Sequence, residues 1–176
     1  MKRILIITAD MCDDSELMYP YYRMLEEGYH VDIASFEKTL IKAKYHFVVE
    51  ANISVKEVVS DLYDGLLLPG GMAPEKLRQN SDVIRIVKDF YEMNKPIGAI
   101  CHGQQVLISA NIMKNKNATC YPGIKDDLIN AGALYEDSEV VVSGCLVTSR
   151  RPEDLPAFIR EFLKLLKITF NVSKEN

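Results

Sequence analysis

The chain is 176 residues long, 48% apolar and 26% charged, with a formal net charge of −4. That describes one domain of ordinary globular composition, long enough to bury roughly 70% of the surface of its unfolded form. The acidic balance and the lack of a basic stripe exclude a nucleic-acid footprint, and the apolar runs are too short for a bilayer, so neither nucleic acid nor membrane is expected as a partner.

Residues 3–8 are a continuous apolar run suited to a strand buried on both faces. Asp10 interrupts the run too early for a signal peptide, which points to a cytoplasmic protein. Asp13, Asp14 or Ser15 can cap a helix whose apolar positions Leu17, Tyr21, Met24 and Leu25 recur at helical spacing. Pro20 within it predicts a late start or a kink, and Gly28 ends it. Residues 31–35 form a second strand, and residues 40–54 read as an irregular β excursion with the character of a hairpin.

A third strand at 65–68 stops at Pro69-Gly70-Gly71, a helix follows at 83–91, and a fourth strand at 96–100 leads into a short helix at 104–110. Short strands near 118–120, 140–142 and 146–148 surround a helix near 125–131. Leu155, Phe158, Ile159, Phe162, Leu163 and Leu166 then share one helical stripe. The domain is expected to span 1–168, with a loose polar tail at 169–176. Strands alternating with helices predict an α/β fold, a mostly parallel sheet with helices on both faces.

Ligands of such sheets bind beyond the carboxyl ends of the strands. The loops at 9–16, 69–75 and 101–103 lie there. In the last, an apolar strand runs into Cys101-His102-Gly103 and a helix begins at once, the pattern of a nucleophile elbow. A thiol at a helix N-terminus faces unpaired N–H groups, which favour thiolate, so Cys101 is expected to be reactive. Gly103 suits close helix–strand packing, the His102 amide is placed as an oxyanion donor, and the His102 ring is the best available base, since His30 and His46 fall outside these loops. Gly70 and Gly71 either only turn the chain after the third strand or bare their N–H groups to a developing oxyanion at the same edge. Among Asp13, Asp14 and Glu16, one carboxyl can hold a proton beside the sulfur, and spacing does not choose between them. Glu75 alone reads as a solvated helix-start acid. Cys12, Cys101, Cys120 and Cys145 have no CxxC spacing and only three histidines accompany them, so free thiols and no metal or organic cofactor are expected.

The stretches Ala99-Ile100-Cys101-His102-Gly103, Leu68-Pro69-Gly70-Gly71-Met72-Ala73-Pro74-Glu75 and Tyr121-Pro122-Gly123-Ile124-Lys125-Asp126-Asp127 together resemble the PfpI intracellular proteases of the ThiJ/PfpI superfamily. The likeness runs from Met1 to about Lys167. It implies a flavodoxin-like three-layer sandwich, Cys101 as nucleophile and His102 as its partner. It also implies a homo-oligomer, dimer or hexamer, in which Glu75 of a neighbouring subunit completes the triad. Glu16 matches the glutamate that hydrogen-bonds the sulfur, Gly71 and the His102 amide match the oxyanion donors, and Tyr121 matches a pocket tyrosine. Gln104 stands where many relatives carry Pro, and Cys145-Leu146 replaces a more polar-aromatic pair.

The leading expectation is cysteine-dependent peptide hydrolysis. The alternative on the same residues is glyoxalase III or deglycase chemistry on methylglyoxal and its adducts. An alternative of another class is a non-catalytic stress protein, with Cys101 a redox sensor or the oligomer a holdase. Glutamine amidotransferases share Cys-x-Gly-x-Gln but need a later histidine, and none follows His102. The first loop lacks the Ser and Thr of a flavin phosphate site, and Pro69-Gly70-Gly71 stands where a receiver domain has its acceptor aspartate.

Overall fold

A computed structural model describes residues 2–172, with side chains to residue 168. In chain order the elements are β1 (Arg3–Ile7), α1 (Asp14–Glu26), β2 (His30–Ser35), β3 (Thr39–Lys42), β4 (Val48–Ala51), β5 (Ile53–Ser54), β6 (Gly65–Leu68), α2 (Ala73–Leu77), α3 (Ser81–Glu92), β7 (Ile97–Ile100), α4 (Gln104–Ser109), β8 (Asn117–Ala118), α5 (Lys125–Asn130), β9 (Leu134–Tyr135), β10 (Val140–Ser143), β11 (Leu146–Ser149) and α6 (Leu155–Val172). Seven strands form one sheet in the order β10-β11-β7-β6-β1-β2-β5, parallel throughout except for β10 at its edge. Helices α1 and α6 pack together on one face, and α2 to α5 cover the other. This is the expected α/β flavodoxin-like arrangement.

The strands are hydrophobic through their whole length because both faces are covered: β6 and β7 are buried at every position. The stripe on α6 is buried as predicted, and its helix runs through Val172, past the expected start of the tail; residues 173–176 lie outside the described residues. Asp13 caps α1, accepting from the N–H groups of Ser15 and Glu16, so the helix starts directly and not late as Pro20 suggested. Pro20 is buried within it, where its ring removes only the bond to the Glu16 carbonyl. Leu25, expected on the buried stripe, is 42% exposed, because eight residues after Leu17 carry it roughly 80° round the helix. The β excursion is the antiparallel hairpin β3–β4, separate from the main sheet, followed by β5 at the sheet's edge.

Strand order reverses between β1 and β6. The loops that leave these two strands are stitched together there, by a bridge between Cys12 and Gly71 and by the Met72 N–H donating to the Met11 carbonyl at 2.9 Å. A crevice at such a switch point is where an open α/β sheet places its site. Among the described residues no helix is long and apolar enough to cross a membrane.

Candidate active site

The turn from β7 to α4 presents Cys101 with φ +62°, a left-handed conformation that costs an L-residue about 1–3 kcal/mol and that a nucleophile elbow imposes. The turn is held from several sides. The Cys101 N–H donates to the Ser149 carbonyl at 3.0 Å, and its own carbonyl accepts from the Tyr121 N–H at 3.2 Å. Gly103 is indispensable to it, since a Cβ there would lie 2.4 Å from the Leu68 carbonyl oxygen. Gln104, the residue that departs from the family pattern, is fully buried. Its Nε2 lies 3.1, 2.9 and 2.8 Å from the carbonyls of Ala99, Thr119 and Ser149, tying three chain segments behind the turn, while its Oε1 has no hydrogen-bond partner.

Cys101 is 8% exposed and sits in a cavity of about 610 Å³. The N–H groups of Gly71 and His102 both reach its sulfur. Gly71 has φ +73° and no room for a side chain, because a Cβ would fall 2.4 Å from the Asp13 nitrogen. The His102 Nδ1 lies 3.3 Å from the sulfur, and the ring stacks on Tyr121 with centroids 4.8 Å apart. Burial, and then the charge of Lys44, hold the imidazole below its ordinary pKa, so the ring is neutral at pH 7.

Glu16, the carboxyl that spacing did not single out, is fully buried beside the sulfur. Its Oε2 accepts from the Gly70 N–H at 2.8 Å and its Oε1 has no hydrogen-bond partner. Burial, then the charge of Asp13, push Glu16 up to about 8, so it carries a proton at neutral pH. The expectation of a thiol made acidic by its helix terminus needs correction. Burial first, then a charged Glu16, push Cys101 up, and the Gly71 and His102 amides oppose them. The N–H groups at the elbow do favour the thiolate, but desolvation outweighs them. Protonation of Glu16 removes the second of these causes and turns the carboxyl into a hydrogen-bond donor toward sulfur.

Glu75, on α2, is exposed and lines the same cavity in its own chain. Among the described residues no carboxylate pairs with the His102 ring. Gly71 and Tyr121 line the cavity, whereas Gly70, expected to bare its N–H there, donates that N–H to Glu16 and is not among the lining residues, so it is not an oxyanion donor in this arrangement. Sequence reasoning missed Lys44 and Tyr45, at the tip of the β3–β4 hairpin, and Arg151, just after β11, which also line the cavity. The least regular part of the sequence brings in the first two, so no local pattern announced them. His30 and His46 stay outside, and Cys145 lies at the start of β11 beside Ile97, away from the pocket. Cys12 is buried under the loop, and burial pushes its thiol up to about 11. Among the described residues no cluster of His, Cys, Asp or Glu is arranged to hold a metal ion.

The chain is similar to known proteins along nearly its whole length. A deglycase of Pyrococcus abyssi is 49% identical over 165 residues, covering 94% of this chain and 99% of the relative. Deglycase PfpI of Pyrococcus furiosus is 48% identical over the same length and shares. A solved two-domain protein of Anabaena variabilis, with DJ-1/ThiJ/PfpI-like and ferritin-like domains, superposes with a TM-score of 0.93 at 34% identity, covering 95% of this chain and 48% of the other. The model of the DJ-1/PfpI family matches residues 2–165, and the chain belongs to that family.

Proposed function

We propose that this cavity is the centre of a cysteine-dependent deglycase acting on adducts of α-oxoaldehydes such as methylglyoxal. The observation that carries the reading is the placement of a nucleophilic sulfur beside a proton-holding carboxyl on one cavity floor, Cys101 with Glu16. In a hemithioacetal of methylglyoxal, Cys101 Sγ displaces the bound thiol at the aldehyde carbon and retains the three-carbon fragment. Glu16 and His102 then move the proton from that carbon to its neighbour, which leaves a lactoyl thioester on Cys101. Water hydrolyses the thioester. The overall change is adduct plus water giving free thiol plus lactate, with no external oxidant. The Gly71 and His102 amides, which reach the sulfur, would receive the neighbouring oxygen on which negative charge develops, and the stack on Tyr121 would steady the imidazole. Similarity to relatives named as deglycases supports the same chemistry here.

Peptide hydrolysis is the second reading, on the same Cys101 and His102, with Glu75 on the rim of the same cavity. In that scheme Glu75 of a second copy, in a dimer or hexamer, completes Cys101-His102-Glu75. Both schemes belong to a cytoplasmic enzyme. The test offers a methylglyoxal hemithioacetal and a fluorogenic peptide in parallel to wild type and Cys101→Ala. Lactate release by wild type alone, without peptide cleavage, is expected; peptide cleavage without lactate overturns the deglycase reading.

A further inference from the structure

The cavity in front of Cys101 carries two cations from separate loops, Lys44 and Arg151. Neither forms an ion pair with a described carboxylate. The contrast with the preceding residue is sharp: Arg150 is held by Asp137 at 2.7 Å and by Asp154 at 2.8 Å. Lys44 stands 5.0 Å from the ring centroid of Tyr45, and its charge is felt at both His102 and Glu16. On the acidic side, Asp13 is occupied as a helix cap, accepting from Ser15 N, Ser15 Oγ and Glu16 N. Glu16 is buried at the floor. That leaves Glu75 as the one lining acid with no such engagement, against two cations. Asp13 keeps its charge as a cap, so the carboxylates of Asp13 and Glu75 match the two cations in number, yet neither forms an ion pair with Lys44 or Arg151.

We infer that Lys44 and Arg151 form a subsite for one carboxylate of the substrate. The preferred substrates are then α-oxoaldehyde adducts of free amino acids, small thiols and peptide ends, in preference to adducts on internal side chains. This specificity rests on the deglycase reading, whereas the subsite itself does not. A guanidinium fork receives a carboxylate through two parallel N–H groups, and an ammonium supplies a compact charge from the other loop.

The subsite is tested by alkylating Cys101 with iodoacetate and iodoacetamide, which differ only in carrying a carboxylate or a neutral amide. The ratio of the two rates is read by peptide mass spectrometry in wild type, Lys44→Gln, Arg151→Gln and the double variant. Lys88→Gln, a cation on the exposed side of α3, controls for net charge. The iodoacetate to iodoacetamide ratio should fall about threefold to tenfold in each single variant and further in the double, the scale of a charge-assisted hydrogen bond. Salt should erase the difference. An unchanged ratio, or one that Lys88→Gln lowers equally, overturns the subsite. A second arm compares the methylglyoxal adducts of N-acetylcysteine and of its amide. Wild type should favour the carboxylate adduct about tenfold in kcat/KM, mostly through KM, and the double variant should lose that preference. If the alkylation ratio responds but neither adduct turns over, the deglycase reading fails and the carboxylate subsite stands. If both adducts turn over equally and the ratio does not respond, the subsite fails and the deglycase reading stands.

Discussion

Asp32 and Glu16 are both carboxyls withdrawn from water, 5% and 0% exposed, yet they meet opposite fates. Asp32, on β2, faces Arg3 at 2.8 Å, Asn52 at 2.7 Å, Tyr63 at 2.9 Å and His30 at 3.1 Å. Burial alone would raise its pKa, but these four side chains outweigh burial and hold it at about 2. Glu16 has only the Gly70 N–H and the Cys101 thiol as hydrogen-bond partners, feels the charge of Asp13, and rises to about 8. Deeper burial and the charge of Asp13 raise Glu16 while four donors hold Asp32 down, so desolvation, nearby charge and donors together set the two protonation states. One carboxylate is a fixed structural anion joining β1, β2 and the chain before β6. The other is a proton reservoir at the place where chemistry is proposed.

The sharpest way to break this contrast is at the sulfur that Glu16 faces. Cys101→Ala should lower adduct turnover at least about 10³-fold without unfolding the protein, as measured by lactate release and circular dichroism. Next in size, Glu16→Gln should lower kcat about 10²-fold. Its stability should change in the other direction. A folded value near 8 against an ordinary carboxyl value means that the folded chain holds a proton the unfolded chain has lost, so wild-type stability declines as pH rises through that window. Glutamine is spared this decline. The Tm of Glu16→Gln relative to wild type should therefore rise from pH 5 to pH 8.5 by calorimetry, and a constant difference would contradict a proton held on Glu16.

Asp32→Asn supplies the opposite sign. A folded value near 2 makes its stabilisation complete above about pH 4 and lost as pH falls through 2. The substitution should cost about 2 kcal/mol at pH 7 by urea unfolding, shrinking toward zero at pH 2. Turnover should be untouched, since Asp32 does not line the cavity. The smallest effect belongs to Tyr121→Leu. Losing the stack on His102 should lower kcat/KM about threefold to tenfold, within the range of aromatic pair energies.

What the sequence announces here is what local chain geometry decides. The elbow is legible because strand, thiol and glycine are consecutive, and Gly103 is needed by contacts within a few residues and one neighbouring strand. The three acids of the first loop are not separable by spacing because two of them answer to distant partners. Asp13 caps its own helix, Asp14 turns to the Tyr45 and Phe47 N–H groups at 2.7 and 2.8 Å, and Glu16 turns inward to Gly70. The ionisation of Cys101 is not legible in the sequence for the same reason. Its helix terminus is local, but the burial that opposes it arises only when three loops close over it. The short α2 also escapes a periodicity argument, since Ala73–Leu77 completes little more than one turn.

The β3–β4 hairpin stands apart from the seven-stranded sheet and is moored to the first loop, with the Lys42 N–H on Asp10, the Lys44 N–H on the Cys12 carbonyl, and Asp14 gripping its tip. A module attached in this way can exchange its outermost residues while β1, β6 and β7 keep their registers. Relatives sharing this elbow are thus free to diverge in the charge they show an incoming molecule, by changes confined to a handful of positions that never touch the strands.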